Sequence, residues 1–127
     1  MKGINGMITF TYYHNLEKAA TFYKEVLGFN EVMNKDWVKI YKLGKDCHIG
    51  LVSAEKGTLK PHKEKPVMLT ISVDDVDYWY NLLEENGVKT NHPPKKGTEL
   101  DTRGFLTWDP EGYTIEFMTF YTKPYGE

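Results

Sequence analysis

The sequence predicts an α+β fold built from two βαβββ modules. A β-rich run, MITFTYY at 7–13, leads into an amphipathic helix that stops at Gly28. The same order recurs at VMLTISV, 67–73, whose helix stops at Gly87. One supersecondary unit that repeats after about sixty residues indicates a duplicated fold.

Each predicted helix has a start signal, one apolar face and a stop signal. Asn15 and Asp75 are good N-caps, because their side chains can accept hydrogen bonds from free backbone N–H groups. Gly28 and Gly87 can take the left-handed conformation that ends a helix. Apolar residues lie between these signals at helical spacing. They are Leu16, Ala19, Ala20, Tyr23 and Leu27 in the first helix, and Val76, Trp79, Tyr80 and Leu83 in the second.

Extended sequence follows each helix. Residues 28–54 can hold three strands, because polar turn residues interrupt this stretch twice. In the second half Pro93 and Pro94 weaken the first strand, since proline cannot donate to a strand ladder. Two stronger strands follow, GFLTW at 104–108 and YTIEFMTF at 113–120, joined by the turn DPEG.

These elements divide the chain into two modules. Module one covers about residues 5–54 and module two about residues 67–122. The lysine- and proline-containing stretch between them, about 55–66, has no periodicity and is predicted to be an exposed linker. A length of 127 residues is typical of one domain, so we expect a single domain made of both modules.

Composition excludes several kinds of function. A net charge of -2 and a pI near 6.1 give no electrostatic reason to bind nucleic acid or an anionic membrane. The sequence has no apolar run of about 18 residues and no signal-peptide pattern at its start. Its single cysteine, Cys47, cannot form an intrachain disulfide. We therefore expect a cytoplasmic protein without nucleic-acid or membrane partners.

Three stretches resemble the glyoxalase / bleomycin resistance / extradiol dioxygenase superfamily, whose fold is called vicinal oxygen chelate. They are NLEKAATFYKEVLGF at 15–29, VDDVDYWYNLLEENGV at 73–88 and RGFLTWDPEGYTIEF at 103–117. The resemblance covers nearly the whole chain. It implies that the two modules form a cup of mixed sheet and that the protein is a homodimer. The superfamily includes isomerases, dioxygenases, thiol transferases and drug-sequestering proteins, so the resemblance implies a fold more than a reaction.

Metal-using members of this superfamily take ligands from the first and last strands of each module. The resemblance places these positions at Ile8, Gly50, Met68 and Glu116. Only Glu116 suits a hard or borderline divalent ion, and such a site needs about three protein ligands. We therefore expect no metal cofactor, with a divalent metal as the alternative.

Strand alternation defines a candidate ligand face on these same strands. If Ile8 and Met68 face the cup, other residues of the same parity face it too. The candidate ligand-binding residues are Phe10, Tyr12, Thr70, Ser72, Thr114 and Met118, and the candidate catalytic residues are Glu116 and His48. The alternative is that these side chains only pack the sheet.

The two candidate catalytic residues each have a structural alternative. A carboxylate on an inward strand face is energetically costly unless it forms a hydrogen bond or an ion pair, or is exposed to water. Glu116 is therefore either a general base or ligand acceptor, or a carboxylate satisfied within the fold, and the sequence suggests no partner for it. His48 could carry protons near neutral pH or play a structural role.

Four further residues complete the candidate ligand-binding set. Arg103, the single arginine, could clamp an anion or hold the turn by pairing with Asp101 or Asp109. The aromatic residues Trp37, Tyr41 and Trp108 could form a wall for a planar ligand, or pack in the core.

The leading hypothesis is a metal-free homodimer that holds a small organic molecule in an aromatic-lined cleft. The alternative is a lyase or isomerase, similar to glyoxalase, that uses Glu116 as a base or metal ligand. A third hypothesis is a regulatory or scaffolding module whose cavity is filled by its own side chains.

Overall fold

The computed structural model describes residues 2–126. The chain divides after Lys63 into two compact units, and each unit contains a four-stranded mixed sheet. This α+β architecture, with the same element order in both units, confirms the predicted fold class. Within residues 2–126, no helix is both long and apolar enough to cross a membrane.

The first unit follows the predicted order of elements. They are β1 (Met7–Tyr13), α1 (Leu16–Thr21), a π-helical turn (Phe22–Val26), β2 (Asn30–Asn34), β3 (Val38–Leu43) and β4 (Cys47–Ser53). The strands lie in the order β1-β4-β3-β2. β1 is parallel to β4, while β3 is antiparallel to both of its neighbours.

The second unit repeats this topology. Its elements are β5 (Met68–Ser72), α2 (Val76–Glu85), β6 (Lys95–Lys96), β7 (Thr102–Trp108) and β8 (Thr114–Phe120). The strand order is β5-β8-β7-β6, with β5 parallel to β8. The prolines at 93 and 94 leave β6 only two residues long, as their lack of a donor predicts.

The predicted start and stop signals of both helices are confirmed. Asn15 Oδ1 accepts a hydrogen bond from Lys18 N at 3.0 Å, and Asp75 Oδ1 accepts one from Tyr78 N at 3.3 Å. Gly28 and Gly87 have φ of 73° and 69°, a region that favours glycine. The sequence did not predict the π-helical turn, because its apolar spacing is the same as that of an α-helix.

The DPEG turn between β7 and β8 is also confirmed. Asp109 Oδ1 accepts hydrogen bonds from the backbone N–H groups of Glu111 and Tyr113, both at 3.0 Å. Gly112 follows with φ of 92°. The Asp109 side chain thus replaces backbone partners within the turn and directs the chain into β8.

Each unit packs its helix on one face of its sheet. In the first unit the fully buried residues include Tyr13, Tyr23, Tyr41 and Leu51. In the second they include Leu83, Phe105, Ile115 and Phe117. The strand residues among these share one parity within each sheet. In β7 and β8 burial alternates with a period of two, whereas β3 and β4 of the first sheet are buried on both faces.

Tyr41 lies in the core and not in an open wall for a ligand. It is 0% exposed, its ring stacks on Tyr23 at 6.4 Å, and its hydroxyl donates to Glu31 Oε2 at 2.9 Å. Burial, and then the hydrogen bond and negative charge of Glu31, raise the pKa of the Tyr41 phenol above its ordinary value. The parity of β3 explains the difference, since Tyr41 pairs with Ile49 on the helix-covered face.

We expect this tyrosine to make the protein sensitive to alkali. Because the folded-state pKa is raised, the neutral phenol stabilises the fold fully below the unfolded pKa of about 10, and this contribution is lost as pH rises above it. The free energy of unfolding should therefore fall less steeply between pH 9 and 11.5 in Tyr41→Phe than in the wild type. Tyr78→Phe, at a residue 58% exposed, is the matched control and should keep the wild-type slope. Equal slopes in all three proteins would contradict the assignment.

Candidate functional site

The second sheet has an open face, opposite α2, whose composition follows from strand register. Cross-strand partners share a face of a sheet, as do residues two apart along a strand. Phe117 stacks on Trp79 of α2 and so marks the covered face. The residues of opposite parity form three rows on the open face: Met68, Thr114 and Trp108; Thr70, Glu116 and Leu106; Ser72, Met118 and Gly104. Five predicted ligand residues therefore share this face with Glu116: Thr70, Ser72, Trp108, Thr114 and Met118.

Glu116 lies in the centre of this face and has a hydrogen-bond partner there. The Thr70 hydroxyl donates to Glu116 Oε1 at 2.9 Å across the parallel β5–β8 pair. Within the part of the chain that the structure describes, no second donor reaches this carboxylate. Glu116 is half-buried, so Oε2 is left to accept a hydrogen bond from solvent or from a ligand.

A cleft of about 280 Å³ opens beside Glu116. Its apolar lining comes from Met68, Phe105, Leu106 and Met118. Only one of these residues is aromatic, so the cleft is less aromatic than the sequence predicted. Three residues that sequence reasoning did not place there also line it: His92, Lys95 and Lys96. The cleft thus combines apolar surface with a few polar groups, the usual composition of a small-molecule site.

The segment from Asn91 to Lys96 is the part of the site that sequence reasoning missed. His92 lies outside the strands, and its Nδ1 is 2.7 Å from the carbonyl oxygen of its neighbour Pro93. Asn91 Oδ1 accepts from Leu106 N at 2.8 Å, which ties this loop to the open edge of β7. The only available signal was the lysine pair directly after two prolines, and a local pattern of that kind does not specify a long-range contact.

The C-terminal segment covers one end of the same face. The hydroxyls of Ser72 and Tyr125 lie 2.6 Å apart, and the Tyr125 ring packs edge-on against Phe120 at 6.1 Å. Ser72 was predicted to contact a ligand directly. In the structure its hydroxyl is already engaged by Tyr125, so access to Ser72 depends on this segment.

The matching face of the first sheet is filled by its own side chains. Register aligns Phe10 and Gly50 of the first unit with Thr70 and Glu116 of the second. The Phe10 ring lies so close over Gly50 that a Cβ there would overlap it. Tyr12 packs against a buried apolar cluster on the same side, which consists of Val38, Ile40 and Val52. Phe10 and Tyr12 therefore fill the positions where the second unit has its carboxylate and cleft.

His48 also belongs to this first face. It pairs with Ile8 on β1 and with Lys42 on β3, and it is half-buried. The lining of the cleft in the second unit does not include it. The two candidate catalytic residues thus lie in different units, and only Glu116 lies in the cleft.

Trp37 and Trp108 stay accessible, unlike Tyr41. Trp37 precedes β3 and is 38% exposed. Trp108 ends β7 in the row of Met68 and Thr114, at the edge of the open face of the second sheet. Trp108 therefore remains a candidate ligand contact of the second unit.

Arg103 has a structural partner that sequence reasoning did not name. Its Nε and Nη2 donate to Asp77 Oδ2 and Oδ1 at 3.2 and 2.9 Å, so the pairs expected with Asp101 or Asp109 are wrong. Arg103 has the same parity on β7 as Phe105, so it lies on the face of the sheet that α2 covers. Asp77 belongs to α2. The hydrogen bonds from Arg103 lower the pKa of the Asp77 carboxyl. This exposed pair links β7 to α2 and leaves Arg103 engaged on the helix side.

The residues at the superfamily's metal positions do not fit a metal site. Register places Ile8 of the first sheet and Met68 of the second at equivalent positions. Gly50 pairs with Phe10, so it is equivalent to Glu116, which pairs with Thr70. Glu116 is the one hard-ligand residue at these four positions, whereas a site needs about three. Within residues 2–126, no three His, Cys, Asp or Glu side chains lie close enough together to hold a metal ion.

Comparison with known families agrees with the architecture. The family model "Glyoxalase/Bleomycin resistance protein/Dioxygenase superfamily" matches residues 9–117. The chain therefore belongs to the glyoxalase/bleomycin resistance protein/dioxygenase superfamily.

Individual relatives support the same assignment. The chain is 29% identical over 113 residues to the uncharacterized protein YraH of Bacillus subtilis (strain 168), with 81% of this chain and 88% of YraH covered. It is 28% identical over 123 residues to the metallothiol transferase FosB of Staphylococcus haemolyticus (strain JCSC1435), with coverage of 94% and 84%. The crystal structure of lactoylglutathione lyase from Agrobacterium tumefaciens superposes with a TM-score of 0.74 at 20% identity, covering 93% of this chain and 96% of that one.

Proposed function

We propose that this protein binds a small organic molecule in the cleft of its second unit, without a metal, and that Glu116 is the polar contact. The observation that carries the proposal is the half-buried Glu116 carboxylate, which keeps Oε2 free while Thr70 orients Oε1. A ligand that donates a hydrogen bond from an ammonium or hydroxyl group would satisfy this oxygen.

The rest of the cleft is suited to a ligand whose main part is apolar. Met68, Leu106 and Met118 surround Glu116, and methionine side chains adapt to ligands of irregular shape. A volume of about 280 Å³ suits a small ligand. The proposal includes a cytoplasmic homodimer, which would cover apolar residues such as Met7 and Phe10, 78% and 42% exposed.

A lyase or isomerase activity is the second candidate function. It is favoured by the presence of Glu116 and His92 in one cleft, since carboxylate and imidazole side chains are the usual groups for proton transfer in enzymes. In that case Glu116 would remove a proton from a bound substrate, and His92 could return one. Similarity to FosB, a metallothiol transferase by name, is a further reason to assay for turnover.

An NMR titration with benzylamine tests the proposal, with benzyl alcohol as the neutral analogue. We expect benzylamine to shift the amides of Gly104 and Leu106, and Glu116→Gln to weaken its binding about tenfold, the size of one charge-assisted hydrogen bond. Glu84→Gln, on the exposed surface of α2, is the matched control and should bind as the wild type does.

Two results separate the possible outcomes. Equal benzylamine affinity in Glu116→Gln and the wild type would refute the role of Glu116. If Glu116→Gln abolishes a lyase or isomerase turnover while benzylamine still binds the wild-type cleft, the second candidate function would replace the first. The mass of the protein in solution, measured on the same sample, tests the dimer.

A further inference from the structure

The cleft that contains Glu116 is also lined by lysines with no anionic partner. Lys95 and Lys96 form β6, and both contribute to the lining of the cleft. Neither forms an ion pair with any residue between 2 and 126, whereas Lys24, Lys39 and Arg103 do so. Both lysines are exposed, so their charges are available to a ligand.

Register places one of these lysines on the same face as Glu116. Lys95 pairs with Gly104, which pairs in turn with Met118 on the open face. Lys96 pairs with Arg103 and therefore has the opposite parity. Lys95 is thus the cation whose side chain extends over the same face as the Glu116 carboxylate.

The distance between these two residues suits an elongated small molecule. Lys95 lies two strands and two residues away from Glu116, so standard sheet spacings put their Cα atoms about 12 Å apart. Gly104 lies between them and has no side chain, so the surface between the two charged groups is open. Leu106 and Met118 flank it with apolar surface.

The sign of the local charge argues against a ligand that carries only a cation. One carboxylate and two lysines line the cleft, which leaves a net positive charge with histidine neutral. A simple cation would be attracted by Glu116 and repelled by the lysines. A simple anion would be attracted by the lysines and repelled by Glu116. A molecule with both charges can place its cation at Glu116 and its anion at Lys95.

We propose that the ligand is a zwitterion: an apolar body with an ammonium group bound by Glu116 and a carboxylate or similar anion bound by Lys95. This inference rests on the proposed function, because it assumes that Glu116 is a ligand contact. It adds the class of the ligand and a second specificity-determining residue, Lys95.

Three probes with one benzyl framework test it. 4-(Aminomethyl)benzoate carries both charges, benzylamine carries only the cation, and benzoate carries only the anion. We expect the zwitterion to bind about tenfold more tightly than benzylamine, and Lys95→Met to remove that gain without weakening the binding of benzylamine. Lys89→Met, an exposed lysine of the same unit outside the cleft lining, should keep the gain.

The possible results distinguish this inference from the proposed function. If the zwitterion binds no better than benzylamine, or keeps its gain in both Lys95→Met and Lys95→Gln, the inference is wrong while Glu116 remains a ligand contact. If none of the three probes shifts the amides of Gly104 and Leu106, both proposals are wrong. An amide spectrum of each variant, recorded before titration, verifies that it is folded.

Discussion

Replacing Phe117 with alanine is expected to lower the free energy of unfolding by about 3–5 kcal/mol, the usual cost of removing a buried phenylalanine ring. Phe117 is 0% exposed and lies in the central part of β8. Its ring stacks between Trp79 at 5.1 Å and Phe105 at 5.6 Å. The substitution would leave a cavity between α2 and the sheet, and it would remove the packing that supports the strand of Glu116.

Chemical denaturation measures this effect, followed by circular dichroism and tryptophan fluorescence. Tyr121→Ala is the matched control, because it removes an aromatic ring from a residue that is 60% exposed. We expect the control to cost less than about 1 kcal/mol, as is usual for exposed positions. Similar losses in both variants would show that Phe117 is not a principal core residue of the second unit.

Gly104→Ala is expected to lower the free energy of unfolding by about 1–3 kcal/mol, the typical cost of forcing a methyl group too close to neighbouring atoms. A Cβ at residue 104 would lie 2.7 Å from the carbonyl oxygen of Phe117 and 3.5 Å from Met118 Cα. The first of these contacts is too short, and it is made with backbone of the neighbouring strand. β7 and β8 would therefore have to separate locally, beneath the cleft.

Gly50→Ala is the matched control for this prediction. It adds the same methyl group to the equivalent sheet of the first unit, but there the Cβ meets the ring of Phe10. Because that ring is partly exposed, it can rotate away, and we expect a smaller loss of stability. Thermal and chemical unfolding of both variants would decide the question, and an equal or larger loss in Gly50→Ala would contradict the backbone explanation.

Local sequence patterns predicted most of the fold. β1 was predicted at its observed bounds, Met7–Tyr13, because a β-rich run ends there at a helix N-cap. Both N-caps and both glycine stops are confirmed, since these signals act between residues only a few positions apart. The π-helical turn Phe22–Val26 was missed, because its apolar spacing does not differ from that of the α-helix before it.

The candidate site was predictable only in part. Strand alternation placed Glu116, Thr70 and Met118 on one face, because a period of two is a property of the strand itself. It could not identify Thr70 as the partner of Glu116, since that depends on the register between β5 and β8. It also could not assign Tyr41 to the core, where the register of β3 and packing against Tyr23 of the π-helical turn decide its environment.

The sequence by itself determined the duplicated βαβββ order, the helix limits and the carboxylate on an inward strand position, because each depends on neighbours along the chain. Only the tertiary structure decided which unit has an open cleft. Phe10 over Gly50 and the Val38 cluster fill the first face, while Gly104 leaves space beside Glu116 in the second. The contacts of Lys95 and Arg103 are likewise made with residues distant in the sequence, Gly104 for Lys95 and Asp77 for Arg103. Burial, pairing and cavity shape depend on such long-range contacts, and local patterns do not specify them.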